Sequence, residues 1–303
     1  MFRAAAVVCL FASSLAYGQN YLSFVSSTGN DANNCTASYP CATIVGAYNK
    51  TNLGGAIHAL SNGDFGSLTI GKSITIDGDG YRMRMSQILL DATAQTIILR
   101  NITVDNVSSG GAALTGVLRS GLFFSTSTLI VERATFSGNG SGQLMSIGMG
   151  SGGAVYMTDV TLLTSGAASI GAYNAIAGTV CNVYLTRFTT EAMSTDGMDI
   201  DTCSAEIKDS IFRGAGHTGL YLSSNYGNAS AFIKNSVFSG NQTGLQTVYS
   251  SAYTTSVKLD GNTFTGNTTG ISAGPGTSVV SFRTNAFANN GTDGAPALTT
   301  SYR

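Results

Sequence analysis

The chain has 303 residues, with 15 Lys and Arg against 16 Asp and Glu, so its formal net charge is only −1. Charged residues make up 10% of the chain and form no basic cluster, which argues against a nucleic-acid partner. Thirty-eight glycines, three prolines and almost no helical periodicity read as an all-β chain with tight turns.

Arg3, the apolar run Ala4 to Leu15 and the small residues of Ala16-Tyr17-Gly18 predict a secretory signal peptide over 1–18, cleaved after Gly18. That run is too short to span a membrane and no later apolar stretch is longer, so no transmembrane segment is expected. The expectation is a secreted monomer, extracellular or periplasmic. Leu22-Ser23-Phe24-Val25 reads as an opening strand, and the loop after it carries Cys35 and Cys41. Ala42 to Asn49 is the one helix candidate, with Ile44, Ala47 and Tyr48 on one face. A short amphipathic helix there would cover the open end of a repeat structure, where strand edges need protection. Residues 19–53 are thus expected to form a strand, a disulfide loop and a capping helix, and 54–303 the repeat region.

Gly54 to Gly80 holds three short strands, around Ile57, Leu68 to Ile70 and Ile74 to Ile76, each ended by Gly or Asp. Further copies run over Ile98 to Val104, Leu129 to Phe136, Val155 to Leu162 and Val183 to Thr190. The 32-residue step from Val104 to Phe136 implies an inserted loop. Gly140 to Gly153, rich in Gly, Ser and Met, fits either a turn or a strand with small outward residues. From Ala205 to Asn290 the repeat becomes regular. Its anchors Phe212, Phe238, Phe264 and Phe287 are spaced by 26, 26 and 23 residues, and Asn241, Asn267 and Asn290 each follow an anchor by three. Short alternating strands at this period are the mark of a solenoid. Asn101, Asp159, Asp209 and Asn235 each stand three before an anchor and are expected to stack in one turn and hydrogen-bond backbone amides. The three asparagines after the anchors also form Asn-X-Ser/Thr sequons, which carry little weight in this composition.

The entry run Gly54 to Gly80 and the opening Val25 to Thr43 resemble secreted, bacterial-type right-handed parallel β-helix proteins of the pectin-lyase-like superfamily. The resemblance implies a single-stranded right-handed β-helix and an extended polysaccharide or cell-surface glycan as partner. Four cysteines remain after Cys9 leaves with the signal peptide. Cys35 and Cys41 close a small loop. Cys181 and Cys203 each precede an inward residue by four, so they occupy the same slot of successive coils. Strands stack about 4.8 Å apart, within reach of a disulfide, so a bridge between coils is expected.

Alternation along the strands places Met198 and Ile200 inward and Asp199 and Asp201 outward. One coil later Leu220 and Leu222 point in and Tyr221 out, followed outward by Gln246 and Ser272. Asp196, Arg213 and His217 are expected in the turn before this column. Glycoside hydrolysis needs two carboxyl groups, which Asp196, Asp199 and Asp201 could supply from one coil. The run resembles the asparagine-threonine-aspartate motif of polygalacturonases, with Asp196 matching its aspartate and Ser194 in place of its asparagine. The next coil reads Gly216-His217-Thr218 where that family has paired aspartates, and its glycine-histidine-glycine and arginine-isoleucine-lysine motifs are missing. The resemblance to lyases implies instead a basic residue, here Arg213, and Ca²⁺ on Asp196, Asp199 and Asp201. The candidate catalytic residues are therefore Asp196, Asp199, Asp201, Arg213 and His217, with Tyr221 and Gln246 contacting substrate. The remaining alternative is a non-catalytic structural, adhesive or glycan-binding surface, in which these residues merely finish turns and strands.

Overall fold

The computed structural model describes residues 20–93, 95–106, 114–119, 127–138, 144–149, 152–163, 168–172, 181–294, 296 and 298–300. The expected signal peptide, and residues 107–113 and 120–126 of the step from Val104 to Phe136 where an insertion is expected, lie outside them.

The chain is a parallel β-solenoid. One regular coil shows the plan: Cys203–Lys208 belongs to a first ladder, Ile211–Arg213 to a second and Thr218–Ser223 to a third. The next coil repeats the order as Ala229–Lys234, Val237–Ser239 and Thr243–Thr247, each strand pairing in parallel with its counterpart below. The third ladder is a nine-stranded sheet. The first and second are joined into one twenty-stranded sheet because Thr128–Gly138 and Ala154–Leu163 run through both. Within 140–153, Met145–Met149 is a strand of the third ladder. Asn20–Val25 opens the first ladder by pairing with Thr51–Ala59, so the N-terminal region is continuous with the solenoid.

The bend between the first and second ladders is made by a residue in the left-handed region. Asn101, Asp159, Asp209 and Asn235 hold it at φ 53°, 56°, 51° and 50°, with Arg133 and Arg187 in the same role. Asn and Asp tolerate this conformation better than most residues, which accounts for the column. Their side chains also bond to their column neighbours: Arg133 Nε donates to Asn101 Oδ1 at 2.7 Å, and Arg187 Nε to Asp159 Oδ1 at 2.6 Å.

Inward residues of all three ladders form one core. Phe212, Phe238, Phe264 and Phe287 stack face to face, with ring centroids 5.0, 4.7 and 5.0 Å apart. The asparagines that follow these anchors turn inward as well, since Asn241 and Asn267 are buried. Asn241 donates its backbone N–H and its Nδ2 to Asn267 Oδ1, each at 3.0 Å, and Nδ2 also reaches the Phe212 carbonyl. Asn267 repeats this pattern with Asn290 and Phe238. The coils of Asn267 and Asn290 thus each satisfy a buried turn of the coil before.

Among the described residues the only helix is Ile44–Lys50. It is N-capped by Thr43, buries Ile44 and Ala47, and packs against Asn20–Val25, Thr51–Ala59 and Ser67–Ile70. Both expected disulfides form. Cys35–Cys41 closes its loop, and Cys181–Cys203 joins residues paired in register at a Cα separation of 4.5 Å.

Two outcomes follow from this packing. Asn267→Leu strands the Asn241 amide and the Phe238 carbonyl and should cost about 2–4 kcal/mol in chemical denaturation. Replacing Cys181 and Cys203 together by Ser should cost about 2–4 kcal/mol, with no further loss in reductant from this bridge.

Candidate functional site

Strand Met198–Asp201 lies in the third ladder, with Met198 and Ile200 buried in the core and Asp199 and Asp201 on the outer face. Asp199 pairs in register with Tyr221 of the next coil, Tyr221 with Gln246 and Gln246 with Ser272. The expected outward column is therefore present. The coils approach closely just before it. A Cβ on Gly197 would sit 2.4 Å from the Gly219 carbonyl oxygen, and one on Gly219 would sit 2.8 Å from that of Gly244, so only glycine fits.

In the turn ahead of this column, Asp196 Oδ1 accepts from the Thr218 backbone N–H at 3.0 Å and lies 2.8 Å from His217 Nδ1. A carboxylate only accepts, so it holds a proton on Nδ1 and leaves Nε2 of the neutral ring as an acceptor. The His217 side chain is 52% exposed, which leaves the ring open to a ligand from solvent. Thr218 Oγ1 lies 3.2 Å from the same Nδ1 and donates to Gln246 Oε1 at 3.1 Å, tying the pair to the coil above.

The two outward aspartates differ sharply. Asp201 accepts from Thr202 Oγ1, Ser223 Oγ, the Asn225 N–H and Asn225 Nδ2, at 2.9 to 3.1 Å. Asp199 Oδ1 is buried and has no hydrogen-bond partner among the described residues. Burial, then the charges of Asp201 and Asp196, push the Asp199 carboxyl up to about 7. Burial and the same three aspartates also raise the Tyr221 phenol.

A shortened turn explains why Asp201 is so well held. One residue, Thr202, separates Met198–Asp201 from Cys203–Lys208, whereas Ser224 to Asn228 intervene at the same place one coil later. Thr202 must reverse the chain alone and adopts φ 56°, an unfavourable conformation for a β-branched residue. The longer turn above folds back over it: the Asn225 N–H reaches Asp201, and the Tyr226 N–H reaches Thr202 Oγ1.

One expectation is corrected here. Arg213 is not in the turn with His217. It ends a strand of the second ladder, and its guanidinium pairs with Glu191 at 2.8 Å one coil below, leaving it engaged away from the aspartates. Among the described residues no group of three or more His, Cys, Asp or Glu is placed to hold a metal ion. Asp201 is taken up by four donors, and Asp196 by Thr218 and His217. Asp196, Asp199, His217, Tyr221 and Gln246 do come together. Thr218, Ser223 and Asn225 were missed, although adding one coil length to Asp201 reaches Ser223.

No family model matches the sequence, and no curated protein matches it. Among solved structures the chain is similar to a rhamnogalacturonan lyase, with 13% identity, a TM-score of 0.55 and coverage of 86% of this chain and 75% of that one. It is also similar to the pectate lyase Pel9A, with 14% identity, a TM-score of 0.53 and coverage of 94% and 79%. At these identities the likeness is one of fold. The chain has the parallel β-helix fold of pectin-lyase-like proteins.

Proposed function

We propose that the protein cleaves glycosidic bonds in an extended polysaccharide lying along the outer face of the third ladder, with Asp199 as the proton donor. The observation that carries this reading is the Asp199 carboxyl itself, buried on one oxygen, unpartnered there and pushed up to about 7. Such a group holds a proton near neutral pH and can deliver it to a leaving oxygen. Asp196 and His217 serve as the complementary base, with Asp196 orienting the ring and Nε2 taking a proton from water. Tyr221 and Gln246 line the path of the glycan.

A second reading, elimination, is favoured by the same imidazole. His217 would take the proton from the sugar carbon, the C–O bond would break, and Asp199 would protonate the departing oxygen as a double bond forms. Hydrolysis and elimination differ in product, since only elimination leaves unsaturated ends. The two disulfides support export to an oxidising compartment. We further take the solenoid as right-handed, the hand that parallel crossovers favour, and the helix Ile44–Lys50 as the cover of its first coil.

Incubation with a panel of acidic and neutral polysaccharides tests the activity, with reducing ends and ultraviolet absorbance as readouts. Wild type should release new ends, and its rate should fall as pH rises above about 7. Asp199→Asn should lower the rate about a hundredfold or more. No cleavage of any polymer would leave the non-catalytic alternative, a structural, adhesive or glycan-binding surface. The same variant carries a stability signature. Because the folded state raises the Asp199 carboxyl, wild type loses stability as pH climbs from the ordinary carboxylate range through about 7. Asp199→Asn should therefore melt about 4 °C above wild type at pH 8, for roughly 2 kcal/mol in a chain of this size, and show no advantage at pH 4.

A further inference from the structure

A recessed surface lies on a different sheet from the Asp199 constellation, on the outer face of the first ladder. Its volume is about 520 Å³, within the range of roughly 300–1,000 Å³ of small-molecule sites. It is lined over four successive coils by Tyr184, Glu206, Phe232 and Lys258, and by the serines 204, 230 and 256. Register places Tyr156, Tyr184, Glu206, Phe232 and Lys258 in one outward column.

The rings of Tyr156 and Tyr184 stack at 4.6 Å and 5°. One face of Tyr184 is thus covered, and the other looks along the solenoid axis towards the coil of Glu206. Glu206 forms the floor of the groove between the two rings, and its carboxylate is drawn along its own strand into an ion pair with Lys208. Phe232 stands two coils from Tyr184, a distance of about 9.6 Å at the usual strand spacing. A six-membered ring placed midway would lie about 4.8 Å from each, at stacking distance. Two residues upstream of Glu206, Phe232 and Lys258 runs a column of exposed serines, 204, 230 and 256, of which Ser230 Oγ donates to Ser204 Oγ at 3.2 Å. Lys258 is exposed at the upper end and has no ion-pair partner among the described residues.

We infer that this groove is a non-catalytic binding site for an acidic glycan, with one pyranose ring held between Tyr184 and Phe232 and a sugar carboxylate on Lys258. A pyranose offers what the slot requires: apolar C–H faces for two aromatic rings and a rim of hydroxyls for the serines. A peptide adding a strand would need a sheet edge, whereas this surface is a sheet face. The free ammonium selects an acidic sugar over a neutral one. The site shares no residue with the Asp199 constellation, so it stands whether or not the protein is an enzyme.

Affinity electrophoresis and calorimetry on the Asp199→Asn protein, which keeps any polymer intact, test the assignment with polygalacturonate and its carboxyl-reduced counterpart as probes. Phe232→Ala and Tyr184→Ala should each weaken binding of polygalacturonate about tenfold. Lys258→Ala should weaken polygalacturonate but leave the reduced polymer unchanged. Ser230→Gln, which fills the groove from an exposed position without touching the core, should reproduce the loss if the aromatic variants prove unstable. Binding that is unchanged in all four variants, or abolished by Tyr221→Ala alone, would overturn the inference. So would a dimer in sedimentation that dissociates on Phe232→Ala without any effect on glycan retention, because the groove would then belong to a second copy of the chain.

Discussion

The described coils of this solenoid depend on parallel pairing in register with the coils beside them. A single coil is only three short strands and cannot bury its own inward side chains. Stacked at the strand spacing, the same position in each coil falls on its own copy, and a residue type chosen once is repeated as a column. The phenylalanine stack, the buried asparagines and the left-handed corner residues are three results of that one constraint. Each column satisfies the backbone or the apolar face of the next coil, so the interactions are long-range in space but always one coil apart.

This regularity is why the architecture was legible. The anchors Phe212 to Phe287 marked the period, the alternation of Met198, Asp199, Ile200 and Asp201 marked inside and outside, and the shared slot of Cys181 and Cys203 marked the coil step. What stayed hidden were features in which direction matters more than position. Asn241 and Asn267 read only as sequons of little weight, because nothing in a linear pattern distinguishes an asparagine turned inward to serve its neighbour's amide from one facing water. The corner residues were expected to bond backbone amides, yet Asn101 and Asp159 accept from arginines of adjacent coils.

The candidate site divides along the same line. Register alone brought Asp199, Tyr221 and Gln246 into a column. It could not show that Asp201 would be saturated with donors while Asp199 kept a bare buried oxygen, since that difference comes from the single-residue turn at Thr202 and the longer turn folded over it. Arg213 was misplaced for a related reason. The end of a strand and the beginning of a turn are adjacent in sequence but open onto different faces of the solenoid, and Glu191 waits on only one of them.

The bridge between Cys181 and Cys203 has a consequence for how the molecule comes apart. A repeat protein can fray from either end, shedding coils one after another because each is held only by its neighbours. A covalent link between adjacent coils makes those two open together or not at all. Thr202, under backbone strain, and the Asp196–Asp201 segment lie on the chain between the two cysteines or against it. Fraying that travels inward from the C-terminal coils therefore meets a cooperative block at the carboxylate cluster. The strained turn lies inside the unit that resists opening, and the regular coils beyond it are the part free to breathe.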